Sequence, residues 1–171
     1  MNIKKSIILV VGIVCFCGQN VLAKNLTSEK KENLLRDSDN LLSSIWFKRN
    51  VQISQSEIDG PGNESKAFRL TFEKNGFFGQ IIRKAMPGKT YKFSIWMKSA
   101  TDKLQHVNII GENSKPVFAL KHVLCKVTDE WQEFSVVIMC PEKGNRDFRF
   151  SVRRSDVFVW GPSVEEISTD K

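Results

Sequence analysis

The sequence predicts an all-β fold, an antiparallel sandwich or barrel, and three observations carry that prediction. Short runs alternate apolar and polar residues with a period of two, as in Phe68-Leu70-Phe72, Tyr91-Phe93-Ile95-Met97 and Phe134-Val136-Ile138. Gly, Pro and Asn clusters separate the runs. In a chain of 171 residues, 12 Phe and 4 Trp are enough large rings to fill the layer about 10 Å thick between two packed sheets. That length supports one domain, and a 26% charged composition with ordinary Gly and Pro counts excludes wholesale disorder and collagen-like repeats.

The chain opens on a segment that belongs to no core. Lys4 and Lys5 precede an apolar run from Ile7 to Phe16, and Val21-Leu22-Ala23 has the small-residue pattern of a cleavage site, so residues 1–23 read as a secretory signal. The run is shorter than the roughly 20 apolar residues of a membrane span. The expected mature chain is secreted or periplasmic, without a transmembrane span. Residues 24–32, KNLTSEKKE, are polar and aperiodic, and read as a flexible lead-in. Two formal glycosylation acceptors occur, at Asn25 and Asn63.

From Glu32 to Ser44, Leu34, Leu35, Leu41 and Leu42 fit a helical stripe loosely, while the Asp and Ser density favours a loop with a short turn; both readings stand. Strands follow around residues 68–73, 91–98, 107–109, 134–138, 148–152 and 157–159. Turns are expected at Asp59 to Gly62, Asn75-Gly76, Pro87-Gly88, Gly111 to Pro116 and Pro141 to Gly144. Trp160-Gly161-Pro162 reads as the end of the last strand, because Pro donates nothing to a ladder and Gly permits a bend.

Removal of the leader takes two of the four Cys with it and leaves Cys125 and Cys140, both in the inward register, in a compartment that permits disulfides. They either bridge, stabilising the fold by about 3 kcal/mol in the chain-entropy model, or pack as two small apolar thiols. The remaining chain is mildly basic, since the leader carries two of the 26 cationic residues and none of the 19 acids. This suits an acidic partner such as a uronic-acid polymer or an anionic cell surface, and equally a merely well-solvated exterior.

Five segments in order, NLLRDSDNLLSSIWFKRNVQIS (33–54), DGPGNESKAFRLTF (59–72), GQIIRKAMPGKTYKFSIWMKS (79–99), TDEWQEFSVVI (128–138) and VFVWGPSVEE (157–166), carry a resemblance. Together they resemble the galactose-binding-like jelly roll of carbohydrate-binding modules of the family 4 and 9 type. They are closest to the variant found in phage tail-fibre and virion proteins. The resemblance implies a two-sheet antiparallel jelly-roll β-sandwich over residues 33–167, with 168–171 as a tail.

It also implies a non-catalytic carbohydrate-binding module whose partner is a polysaccharide or cell-surface glycan. An exported structural or adhesin-like protein that keeps the sandwich without sugar binding is the alternative. Sugar recognition needs an aromatic plate and a few fixed polar groups. The outward register of the central strand offers Lys92, Trp96 and Lys98, and later strands offer His106, Asn108, Arg149, Ser151 and Arg153. If these strands share one sheet, they form one cationic face, and arginine grips a carboxylate bidentately. Gln80 either contacts ligand or bridges backbone groups. No cofactor is required; the resemblance allows a structural calcium ion, with Glu165 in the family's terminal acidic position and Asp37 and Asp39 as further oxygen donors. No nucleophile elbow or zinc-protease motif accompanies His106 or His122, so catalysis is not expected. No aromatic-basic signature of a nucleic-acid reader appears.

Overall fold

The computed structural model describes residues 32–83, 85–113, 120–140, 142 and 148–168. The expected leader, the Asn25 acceptor and parts of the turns after Gly111 and after Pro141 lie outside the described residues. Among the described residues eight strands form: β1 (Phe47–Asp59), β2 (Lys66–Ile82), β3 (Thr90–Ser99), β4 (Gln105–Asn113), β5 (Leu120–Val127), β6 (Gln132–Met139), β7 (Phe148–Arg153) and β8 (Asp156–Ile167). All the pairings are antiparallel. The order β5-β4-β7-β2-β8-β3-β6 folds into two layers, as the jelly-roll expectation requires. Phe93 of β3 stacks on Phe150 of β7 with ring centroids 5.4 Å apart, so β3 and β7 face each other across the core.

The two layers share β2. Its first half, Phe68 to Thr71, pairs with β8, and its second half, Phe78 to Ile82, pairs with β7. The corner between them is Asn75-Gly76, which the sequence presents as a reverse turn and which is instead an irregularity inside one 17-residue strand. Asn75 takes the left-handed conformation at φ 60°, and on the partner strand Asn50 does so at φ 47°, where the β1–β2 register shifts. Asparagine tolerates that region better than other side chains, and a bulge bends the strands that carry it. At Gly76 a Cβ would lie 2.3 Å from the Asn50 carbonyl oxygen, so only glycine lets the strands approach there. β1 itself has mostly exposed residues, which hides its strand character from a search for alternation.

The last strand holds a second irregularity. β8 continues through Gly161, at φ 53°, to Ile167, and its register with β3 shifts between Ser94 and Trp96. Beyond the proline its free edge is taken by the opening segment: Leu34 N donates to Val164 O at 2.8 Å, and the Asn33 amide bonds Pro162 O and Val164 N. Residues 32–44 form consecutive turns rather than a helix, with Asn40 N donating to Asp37 O and Ser43 N to Asn40 O. These turns bury Leu35 and Leu41, and Trp46 stacks on Phe78 at 4.7 Å. At the start of β8, the Arg69 fork and Thr71 bond Asp156, and Arg69 holds that carboxyl below its ordinary range.

Cys125 and Cys140 are both buried, as their register predicts, and Cys125 is a free thiol, so the two are not bridged to one another. The Cys140 thiol donates to Ala85 O at 3.6 Å and the Cys125 thiol to Val123 O at 3.8 Å. Burial pushes the Cys125 thiol up to about 11. At pH 8 it is therefore protonated and unreactive. Peptide mapping after alkylation of the folded protein at pH 8 is expected to find Cys125 unmodified, and modified once the chain is unfolded; labelling in the folded state would contradict this environment.

A second expectation concerns the corner. Gly76→Ala meets backbone oxygen and is expected to destabilise the fold by about 3 kcal/mol in chemical denaturation. Gly62→Ala, at φ 78° with only the Glu64 side chain near, 3.9 Å from a Cβ, is expected to cost about 1 kcal/mol. Equal effects would remove the special role of the corner.

Candidate functional site

The outer face of the layer β5-β4-β7-β2-β1 is laid out by register. One row across the strands reads Phe47, Gly79, Ser151, Ile110, His122. On one side, Arg153, Asn108 and Leu124 are paired across β7, β4 and β5, with Arg49 opposite Phe77 at the β1–β2 end. On the other side stand Ile81, Arg149 and Glu112. The middle row is low because Gly79 has no side chain and Ser151 a small one. A Cβ on Gly79 would lie 2.1 Å from Phe150 O. Five strands make the row about 19 Å long, at ~4.8 Å per step. A groove of ≈ 580 Å³ opens on this face, lined among others by Phe77, Asn108, His122, Arg149, Arg153 and Arg154.

Its charge is one-sided. Arg49, Arg149, Arg153 and Arg154 line it, and no acid does among the described residues. Glu112, with a side chain 15% exposed, lies beside the groove and holds two of these cations. It accepts Arg149 Nε at 2.6 Å, pairs with Arg149 Nη2 through the same oxygen, and stands 3.7 Å from Arg153 Nη2. The guanidinium carbons of Arg149 and Arg153 each lie 5.8 Å from the centroid of the Phe77 ring, which the two cations flank. At one end of the row Phe47 is 41% exposed.

Among the described residues, two buried polar atoms on this face have no partner, Ser151 Oγ and Arg153 Nε. An unmet buried donor or acceptor costs about 1–3 kcal/mol, and in native proteins each such group calls for an explanation. The backbone beside them is strained as well. β7 passes to β8 through two residues only, Arg154 and Ser155, both in the left-handed region at φ 72° and 76°. β7 and β8 each pair with β2, so this link is a bend and not a hairpin; its left-handed positions would suit asparagine or glycine, and it instead places an arginine on the groove wall.

The sequence expectation of a single face joining Lys92, Trp96 and Lys98 to Arg149, Arg153, His106 and Asn108 is corrected by the topology. The first three project from β3, in the layer opposite β4 and β7, so the two sets lie on opposite outer faces. Trp96 is half-buried, beside Trp160 on β8 and Glu133 on β6. Arg149, Arg153 and Asn108 do come together; His106 is exposed one step beyond Asn108, with its carbonyl accepting Ser155 Oγ. Gln80 points inward and is 4% exposed. Its amide clamps the opening segment, accepting from Arg36 N and donating to Arg36 O, each at 2.9 Å, which is the backbone-bridging arrangement. Asp37, Asp39 and Glu165 are not gathered into a cation site: among the described residues no three metal-binding side chains cluster. Asp37 accepts Ser43 Oγ instead.

Phe77, Arg49, Arg154 and His122 are absent from the sequence expectation. Phe77, Gly79 and Ile81 alternate in the outward register, a signal masked by reading Asn75-Gly76 as a turn. Nothing in the sequence singles out Arg154, whose position depends on the two-residue bend between β7 and β8.

No protein-family model and no curated protein matches the sequence. Solved structures do share the fold. The CBM22-1 xylan-binding domain of Paenibacillus barcinonensis Xyn10C aligns with a TM-score of 0.61 at 10% identity, over 82% of this chain and 97% of that one. A family 16 carbohydrate-binding module aligns at 0.54 and 17% identity, over 73% and 99%. The enzymatically active domain of bacteriophage CBA120 tailspike protein 4 aligns at 0.57 and 16% identity, over 79% of this chain but only 21% of the tailspike chain. The protein has the jelly-roll sandwich fold that these carbohydrate-binding modules share, the fold class that the sequence resemblance implies.

Arg154→Asn is expected to stabilise the protein by about 1 kcal/mol, since asparagine accepts the left-handed conformation better than arginine. The same change removes a groove cation. Thermal unfolding of the variant checks the first effect; a lowered midpoint would show that Arg154 holds the turn together.

Proposed function

We propose that the chain is an exported, non-catalytic module that binds acidic polysaccharide or cell-surface glycan along the groove of the β5-β4-β7-β2-β1 face. One observation carries the reading: among the described residues, two buried polar atoms lack partners beside a groove lined by four arginines and no acid. Guanidinium forks suit carboxylate or sulfate groups. Phe47 and Phe77 supply ring surface for the apolar face of a pyranose, and the five-strand row, low at Gly79 and Ser151, supplies length for several sugars. The absence of an acid from the lining, among the described residues, supports a binding role over hydrolysis, which uses a pair of carboxylates. Export rests on the signal-like residues 1–23. That one structural neighbour is a xylan-binding domain and another a carbohydrate-binding module supports the sugar reading.

Calorimetric titration of the mature chain with polygalacturonate, a sulfated glycosaminoglycan and neutral xylan tests it. The acidic polymers are expected to bind, more weakly as salt rises. Arg153→Ala is expected to lower affinity about tenfold or more, the loss of a charge-assisted hydrogen bond, and Trp96→Ala to leave it unchanged. Binding to none of the polymers would favour the alternative, an exported interaction protein on the same scaffold. Loss of binding in Trp96→Ala alone would move the site to the opposite face.

A further inference from the structure

A second cavity shares no lining residue with the groove. It measures ≈ 210 Å³ and lies where the opening segment, the start of β2 and the irregular part of β8 meet, with Trp160, Ser38, Asp39, Lys66, Ser163 and Leu41 in its wall. Trp160 belongs to β8, on the layer opposite the groove's β7 and β4.

The indole is held at two places. Its Nε1–H donates to Ser65 Oγ at 2.8 Å. Gly60 lies against its pyrrole ring so closely that a Cβ there would stand 2.1 Å from Cδ1 and 2.4 Å from Cγ and Nε1. One part of the ring is thus closed by backbone, and the half-exposed remainder forms cavity wall. A ring fixed before binding loses no rotamer freedom on binding.

The polar groups around it are of a different kind from those of the groove. Lys66 is already neutralised by Asp59 at 2.9 Å. Asp39 is exposed and, among the described residues, no hydrogen bond or ion pair engages its carboxylate. The hydroxyls of Ser38 and Ser163 are likewise unengaged, and both residues are half-buried. The cavity therefore presents a fixed aromatic plate, a free carboxylate and two hydroxyls, and the uncompensated charge is negative. A carboxylate accepts hydrogen bonds from hydroxyl groups and repels an anion. The volume lies below the range of about 300–1,000 Å³ for drug-sized ligands, which suits one ring rather than a chain.

We propose that this cavity is a second sugar site, taking a single neutral pyranose residue with its apolar face on the Trp160 indole and vicinal hydroxyls donating to Asp39. The site is independent of the groove, since its residues and its charge preference both differ. A glycan carrying acidic units along its length and a neutral terminal residue engages the module at two places, and such linkage raises avidity without new contacts at either site.

The test is a titration of the labelled mature chain with methyl pyranosides of glucose, galactose, mannose and xylose, followed through the Trp160 Nε1–H resonance. That resonance is assigned by its loss in Trp160→Phe or, should this variant not fold, by its cross-peaks to Ser65. At least one neutral glycoside is expected to shift it and saturate in the millimolar range. Asp39→Asn, a surface change, is expected to weaken that binding about tenfold, and Arg153→Ala to leave it unaltered. The proposal is overturned if no neutral glycoside moves the resonance, if Asp39→Asn binds as well as the parent, or if methyl glucuronide binds there more tightly than the neutral sugars. Because the groove is assayed with acidic polymers and Arg153→Ala, either site can fail alone.

Discussion

The close approach of Gly76 to the Asn50 carbonyl is the contact on which the architecture turns. It allows β2 to bend without breaking, so that one strand pairs with β8 in one layer and β7 in the other. A conventional turn at Asn75 would end the strand and return the chain along the same sheet. The bend carries Phe77, Gly79 and Ile81 beside β7, and that placement opens the low row between the arginines. β1 follows the bend through its own left-handed residue, Asn50. The groove is in this sense a consequence of the corner, and the stacked rings of Phe93 and Phe150 hold the layers that the corner joins.

Unfavourable local features collect on the groove face. Two left-handed non-glycine residues, two unsatisfied buried atoms and three closely placed charges, only one of them negative, lie within β7, its following turn and the adjoining strand. The core side of the same strand is well made, with Phe148, Phe150 and Val152 almost fully buried. Consistency on one face and conflict on the other is the pattern expected where a surface is shaped for something besides stability. The second cavity differs: its indole is satisfied and its polar groups face solvent, so its recognition depends on a fixed plate rather than on stored strain.

The strands with inward Phe, Ile and Val residues were legible because burial on one face enforces a period of two. β1 was not, since its side chains mostly face water and only its pairing with β2 makes it a strand. Asn75-Gly76 and Trp160-Gly161-Pro162 carry turn chemistry, yet the same backbone freedom serves a bulge, and the sequence does not distinguish a chain that reverses from one that bends. That ambiguity hid Phe77 from the candidate site. Trp96 was correctly placed on the outward side of β3, but side-chain parity says nothing about which layer a strand joins, so it was grouped with arginines on the far side. Gln80 falls in the inward register of β2, where its amide meets both the N–H and the carbonyl of Arg36.

The shared strand is tested most directly by cross-strand nuclear Overhauser effects in the labelled mature protein. Backbone contacts between Phe68 and Val159 and between Phe78 and Val152 are both expected in one population, with continuous strand-type contacts to β1 on either side of Asn75. Observation of the first contact without the second, or a tight-turn pattern closing at Asn75-Gly76, would contradict the bent strand and with it the origin of the groove.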